Sequence, residues 1–368
     1  MTEPEQPVAR NAILISLGLS AGIGMLALRH VLQEPLPQPG LAVASVAPTP
    51  MPTRLPELRP HAPATSPRRL PLDLTEEQRR AGYNECMVPD PGPGYFAAPR
   101  YLWKGMLYPP AQGGMREDGG YDVIVHFHGG PSARKALVGY ARGVVLAGFD
   151  LGNGSASYAQ PFASSMLFDE LRHGIEKHLR AHSNRSDAYI RHLALSAWSA
   201  GYGAVNSILR HAGPAVADAV ILLDGFHAGY LEGQGGHRID EQNVAPLLEF
   251  ARLAVEGQRF FYLTHSQVGT DDYASTTEMS EWLLRKLGIR RVAGGLSEDP
   301  LGLLTYADRG GFRLRGFGGN DRLAHCDHLR HLSEAVVLLE ARWGTPPAQG
   351  LRCRFTQGRD FLRQFRGN

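Results

Sequence analysis

Three short stretches of this 368-residue chain hold residue types that perform acyl transfer when they converge. The first is Ser196-Ala197-Trp198-Ser199-Ala200-Gly201-Tyr202-Gly203, placed where an apolar run gives way to a helical one. A serine on a sharp strand-to-helix turn projects its Oγ over the sheet edge, and the helix N-terminus behind it favours negative charge. Small residues two before and two after Ser199 permit that turn. Ala197 stands where glycine is usual, and Gly201 meets the requirement. Ala200 N–H is positioned to donate to a tetrahedral oxyanion.

The second stretch is His126-Phe127-His128-Gly129-Gly130, ending the apolar run 121–127. Glycines after a strand let backbone N–H groups face a ligand, so Gly129 or Gly130 supplies a further oxyanion donor, whereas Pro131 has no N–H. The third is 320–331 (NDRLAHCDHLRH). A general base must titrate near neutrality, and His325, ahead of the helical periodicity that starts at Leu329, ranks before His328. An acid between serine and histidine in chain order would orient the imidazole. Asp224, directly at the end of AVILL (219–223), ranks before Asp272, which follows FFYLT (260–264) after a short loop.

The elements that must position these residues read as alternating strands and helices. Strands are expected at 121–127, 143–149, 190–195, 219–223, 260–264 and 313–317, with one or two more within 95–108. Helices are expected at 165–179, where Phe168, Leu171, Ile175 and Leu179 recur on one face, at 200–211, and from the capping box Ser275-Thr276-Thr277-Glu278 to 287. A closing helix carries Leu329, Leu332, Val336 and Leu339. Such alternation implies an α/β fold with a mostly parallel, twisted sheet covered on both faces. The loops 151–162, with Tyr158 and Gln160, and 226–230, with His227, are expected to line a substrate pocket together with His128 and Trp198.

The H-x-H-G-G loop, the A-W-S-A-G elbow, an intermediate aspartate and a late histidine together resemble the α/β-hydrolase superfamily over about residues 95–345. The resemblance implies a sheet of about eight strands and acyl-enzyme chemistry on an ester, thioester or amide. A carboxylic ester, small or lipid-like, is the leading substrate class, with an amide or an acyl acceptor other than water as alternatives. No cofactor is implied. A competing reading makes His126 and His128, alternating along one strand, zinc ligands with Asp224 and His325. A third makes the domain a binding module without turnover.

The rest of the chain places this domain. Residues 1–10 are a short tail, and 11–30 begin with an uncharged apolar run, about as long as a bilayer requires. That segment reads as an uncleaved anchor, with a cleaved signal or a buried helix as alternatives. Residues 31–71 are proline-rich and read as an extended spacer. The catalytic domain is expected at 72–368, opened by a capping box at Thr75–Gln78 and held on the extracytoplasmic side of a membrane. A net charge of +2, with 20% charged residues, gives no basic patch for nucleic acid. Three cysteines, Cys86, Cys326 and Cys353, form no C-x-x-C pair; they read either as three small buried hydrophobes or, in an exported domain, as room for one disulfide, with Cys86 and Cys353 the first pairing to consider.

Overall fold

Strand Gly120–Phe127 (β3) is buried along its whole length, as a strand with both faces covered must be. Its alternation assigns the faces. Val123, Val125 and Phe127 join one apolar cluster, and Ile124 joins the other. The computed structural model describes residues 90–231, 238–294 and 302–348. The apolar segment 11–30, the proline-rich 31–71, the capping box at Thr75, Cys86 and Cys353 lie outside them. Among the described residues no helix is long and apolar enough to cross a membrane.

The chain runs through Arg100–Leu102 (β1), Gly105–Tyr108 (β2), β3, helix Gly130–Leu137 (α1), Val145–Phe149 (β4), Ser155–Ala159 (α2) and Ser165–Ser183 (α3). Tyr189–Trp198 (β5), Tyr202–Ala212 (α4), Ala219–Leu223 (β6), Ala228–Gly229 (β7), Glu241–Val255 (α5) and Phe260–His265 (β8) follow. Tyr273–Ala274 (β9), Thr276–Leu287 (α6), Val292–Ala293 (β10), Leu303–Arg309 (β11), Phe312–Phe317 (β12), Arg322–Asp327 (α7) and Leu332–Trp343 (α8) complete it.

One ten-stranded sheet has the order β1-β2-β4-β3-β5-β6-β8-β12-β11-β10. The strands from β4 to β12 in that order pair in parallel, and antiparallel strands extend both edges. The sheet is therefore larger than the expected eight strands. The additions are β10 and β11, whose residues the sequence reading left unassigned. β11 pairs with β12 as a hairpin, with Arg309 opposite Phe312.

The two faces are covered by different helices. Phe168, Ile175, Val205, Ile208, Leu247, Met279 and Trp282, from α3, α4, α5 and α6, pack on one. Ala133, Leu137, Leu332, Val336 and Leu339, from α1 and α8, pack on the other. Each fully buried side chain of this size contributes about 1.5–3 kcal/mol, so the two clusters together fix which strand ends meet at the top of the sheet. Helix α6 starts with the expected capping box, Ser275 accepting from Glu278 N and the Glu278 side chain returning to Ser275 N. Buried Glu340 on α8 accepts from the N–H groups of Arg142, Gly143 and Val144, which fixes the turn into β4.

Cys326 is disulfide-bonded, which displaces the expected pairing of Cys86 with Cys353. Sequence spacing says nothing of which thiols meet in space.

Close backbone contact constrains the start of α4. A Cβ on Gly201 would stand 2.1 Å from the carbonyl oxygen of Phe127 at the end of β3. Gly201→Ala is expected to destabilise the protein by about 1–3 kcal/mol, the usual result of overpacking, read as a fall in the urea unfolding midpoint.

Candidate active site

Three residues other than glycine take positive φ at the carboxyl ends of adjacent strands: His128 (φ 73) after β3, Ser199 (φ 48) after β5 and Asp224 (φ 44) after β6. Side chains rarely adopt this conformation, and it costs of order 1–3 kcal/mol where it occurs. The register explains their convergence. Phe127 pairs with Ala197 and Trp198 with Leu223, so the next residue or two on each strand meet over one sheet edge, where open α/β sheets form sites.

Ser199 opens a single 3-10 turn, Ser199–Gly201, between β5 and α4. Two glycines make room for it. A Cβ on Gly225 would stand 2.5 Å from Ser199 O and 2.8 Å from Ser199 N, and Gly201 lies against the end of β3. Ala197, the departure from glycine at the elbow, points into the core and is fully buried, so its methyl does not obstruct the turn.

Asp224 is buried and multiply bonded. Its Oδ2 accepts from His325 Nδ1 at 2.7 Å. Its Oδ1 accepts from Ser266 N at 2.8 Å and from Thr276 Oγ1 at 2.6 Å. Burial alone would raise the carboxyl pKa, but the His325 hydrogen bond, the fields of His328 and His325 and the Thr276 hydroxyl outweigh it and hold it well below the carboxylate range. With Nδ1–H given to Asp224, His325 keeps Nε2 as its basic nitrogen. His325 lies within the short helix α7 rather than ahead of the helical region. That helix is N-capped by Asp321, which accepts from Ala324 N at 2.8 Å, and tied to the elbow by Trp198 Nε1–H donating to His325 O at 3.0 Å.

The alternatives lie elsewhere. Asp272 is exposed. His328 is buried behind the pair, its Nδ1 bonded to Thr264 Oγ1 at 2.7 Å, and burial lowers its pKa to about 4. Thr264 Oγ1 also accepts from Asp224 N, so His328 supports the strand end that carries Asp224.

Of the two glycines after β3, Gly129 has its N–H engaged by Asp150 Oδ1 at 2.5 Å. Gly130 and Ala200 each sit in the first turn of a helical segment, where an N–H has no carbonyl four residues back to donate to. They are the pair with donors to spare. His128 is not on the strand, which ends at Phe127; its left-handed backbone turns it away from the alternation expected with His126. His126 is fully buried, its Nδ1 bonded to Ser196 Oγ at 2.8 Å and its Nε2 to His128 O at 2.9 Å. Burial lowers its pKa to about 3. Both ring nitrogens thus already serve the protein, and among the described residues no group of three or more His, Cys, Asp or Glu side chains is arranged to hold a metal ion. The zinc reading, which needs His126 and His128 as joint ligands, does not fit these residues.

Around this centre, Trp198 stacks on His128 with centroids 4.9 Å apart and 12° between planes, and lies 4.9 Å from the His325 ring. His227 is half-buried, with its ring edge-on to Tyr202 and Tyr273. Tyr158, expected to line the pocket, is fully buried and lies behind His128. Thr276, Ser266, Thr264 and Asp150 were missed by the sequence reading. Thr276 had a signal in the capping box that opens α6, but a cap does not reveal that the hydroxyl reaches another strand end.

No protein-family model matches the sequence, and no curated protein matches it. The chain is similar to three solved structures among others. One is the LpqC poly(3-hydroxybutyrate) depolymerase from Bordetella parapertussis, at 15% identity and TM-score 0.39, covering 67% of this chain and 90% of that one. Another is the enterobactin esterase FES from Shigella flexneri, at 14% identity and TM-score 0.42, covering 67% of this chain and 60% of that one. The third is the esterase Est2 from Thermogutta terrifontis, at 14% identity and TM-score 0.39, covering 72% of this chain and 98% of that one. Likenesses this distant carry no argument about activity. The chain's own strand order, with the serine turn after β5 and an aspartate after β6, makes its fold α/β-hydrolase-like, in agreement with the resemblance in its motifs.

The Thr276 hydroxyl is the side-chain donor opposite His325 on the Asp224 carboxylate. Thr276→Val is expected to cost about 1.5–3 kcal/mol, the usual range for a hydrogen bond to a charged group, measured by denaturant unfolding at neutral pH.

Proposed function

We propose that this chain is a serine hydrolase that cleaves carboxylic esters through an acyl-enzyme on Ser199. The observation that carries the reading is the 2.7 Å hydrogen bond from His325 Nδ1 to buried Asp224, one strand from a serine held at φ 48. A serine hydroxyl is a weak nucleophile until an oriented base takes its proton.

In the proposed reaction Ser199 Oγ attacks the acyl carbon and its proton passes to His325 Nε2. The carbonyl oxygen becomes an oxyanion bound by Gly130 N–H and Ala200 N–H. The tetrahedral intermediate collapses, the ester C–O bond breaks, and the alcohol leaves with the proton from His325. A water then gives a proton to His325 and attacks the acyl carbon; the bond from the acyl carbon to Ser199 Oγ breaks, His325 returns the proton to Oγ, and the acid leaves. Asp224 stabilises the imidazolium formed in each half without taking a proton. The proposal takes the substrate to be a small or lipid-like ester.

The proposal includes extracytoplasmic placement, with residues 11–30 as the membrane tether. The sequence pattern supports it, and a disulfide at Cys326 is consistent with an oxidising compartment.

The test is p-nitrophenyl acetate turnover. Ser199→Ala is expected to abolish it, and Asp224→Asn to lower kcat on the order of 10³-fold or more. Asp272→Asn is expected to leave it within about twofold, as surface changes away from a site usually do. Turnover that survives Ser199→Ala would overturn the serine mechanism; the reverse ranking of the two aspartates would move the acid to the later loop.

A further inference from the structure

His128 is held in one protonation state and one tautomer by groups that the reaction so far described does not use. Its Nδ1 is bonded to Tyr158 Oη at 2.6 Å. That oxygen already accepts from Leu151 N at 3.2 Å, and burial pushes the Tyr158 phenol up to about 12, so it is a neutral donor. The phenol therefore gives its proton to Nδ1, and Nδ1 accepts. A neutral imidazole carries one N–H, which is then on Nε2. Burial of the ring lowers its pKa and keeps it neutral.

Nothing in the described protein accepts from that Nε2–H. Among the described residues, the atom is not one of the enclosed, unpartnered groups of the interior, and His128 itself is only half-buried. It opens on solvent. Its place is the site itself. Phe127 pairs with Ala197, so His128 stands beside Trp198, one residue short of Ser199, and directly precedes the loop that carries Gly130. Its Cβ would be 3.1 Å from a Cβ on Gly201, and its ring is stacked flat on Trp198. The left-handed backbone at φ 73 is uncommon for any residue other than glycine. A residue that fills space or caps a turn would not need a fixed tautomer as well.

We propose that His128 is a catalytic residue whose Nε2–H donates to the substrate carbonyl oxygen as it becomes an oxyanion, a third donor beside the N–H groups of Gly130 and Ala200. Tyr158 is the positioning residue that keeps the proton on Nε2. The proposal rests on the acyl-enzyme reading of Ser199. A fixed neutral donor aimed where charge develops strengthens as the reaction proceeds and needs no reorganisation. A neutral imidazole also donates without placing a second cation beside His325 when that ring becomes imidazolium.

The experiment is steady-state hydrolysis of p-nitrophenyl acetate by the full chain, with fluorophosphonate labelling and thermal melting of every variant. His128→Leu is expected to lower kcat and kcat/KM together on the order of 10²-fold. His128→Gln, whose amide N–H reaches near the position of Nε2, is expected to recover roughly tenfold of that loss. Tyr158→Phe leaves the imidazole in place and frees Nδ1. It is expected to lower kcat severalfold and to move the acid limb of the kcat/KM profile upward. Removing a donor to the neutral ring lets it protonate more easily, with Asp150, His325 and Tyr158 as the titratable groups that face it.

Leu and Gln variants with equal losses, or a Leu variant within about threefold of wild type, would overturn the proposal while leaving Ser199 as nucleophile. So would a Tyr158→Phe profile superimposable on wild type. If the leucine variant does not fold, Tyr158→Phe decides the matter by itself. A folded wild type that neither labels nor turns over would overturn the Ser199 reading and this one with it, a result distinct from every other outcome.

Discussion

The site depends on one buried carboxylate. Asp224 is 1% exposed, at the end of a strand in the middle of the sheet. An isolated charge there would cost several kcal/mol. It is tolerated because β8 supplies the Thr264 contacts to its backbone N–H, the residue after β8 supplies Ser266 N–H, and α6 supplies the Thr276 hydroxyl. With Oδ1 saturated by those two donors, Oδ2 is directed to His325. The direction of that bond leaves Nε2 as the only basic nitrogen of the ring. The end of β8 and the start of α6 thus fix which nitrogen of one histidine can take a proton.

A second constraint is the close approach of backbone around the turn that carries Ser199. Gly201 lies against Phe127 O, Gly225 against Ser199, and Gly203 against Ser155 O, where a Cβ would stand 2.3 Å away. These contacts leave no room for side chains, and they hold the turn that carries Ser199 between the ends of β3 and β6. Trp198 adds a side-chain constraint, since its ring lies on those of both His128 and His325 while its N–H holds the backbone of α7. The same indole thus couples the loop after β3 to the segment that delivers the histidine.

Much of this was legible in the sequence, for physical reasons that differ by element. The central strands were readable because both faces are buried, so their residues form unbroken apolar runs; the sequence expectation at 219–223 and the observed β6 coincide. Helix α3 was readable from the spacing of Phe168, Leu171, Ile175 and Leu179, all buried in one cluster. Helix α5 was not, although Asp240 caps it, because Pro246 within it reads as a break. Strand β11 escaped, although its partner β12 was expected at 313–317, because β11 is half-exposed and lacks such a run. The residues of the Asp224–His325 pair were nameable because strand ends and chain order limit the candidates. Asp150 and Thr264 were not, since each acts through a contact between segments distant in sequence. Tyr158 also shows the limit of reading aromatic loops as pocket walls: its ring is buried, and only its oxygen matters to the site.

The central claim is that Ser199 is an activated nucleophile. It is tested most directly by reacting the full chain with a fluorophosphonate and locating the modified residue by peptide mass spectrometry. The account predicts one phosphonylated residue, Ser199, with labelling slowed strongly by His325→Ala. Labelling at another serine, or none in protein that is folded and monodisperse, would contradict it.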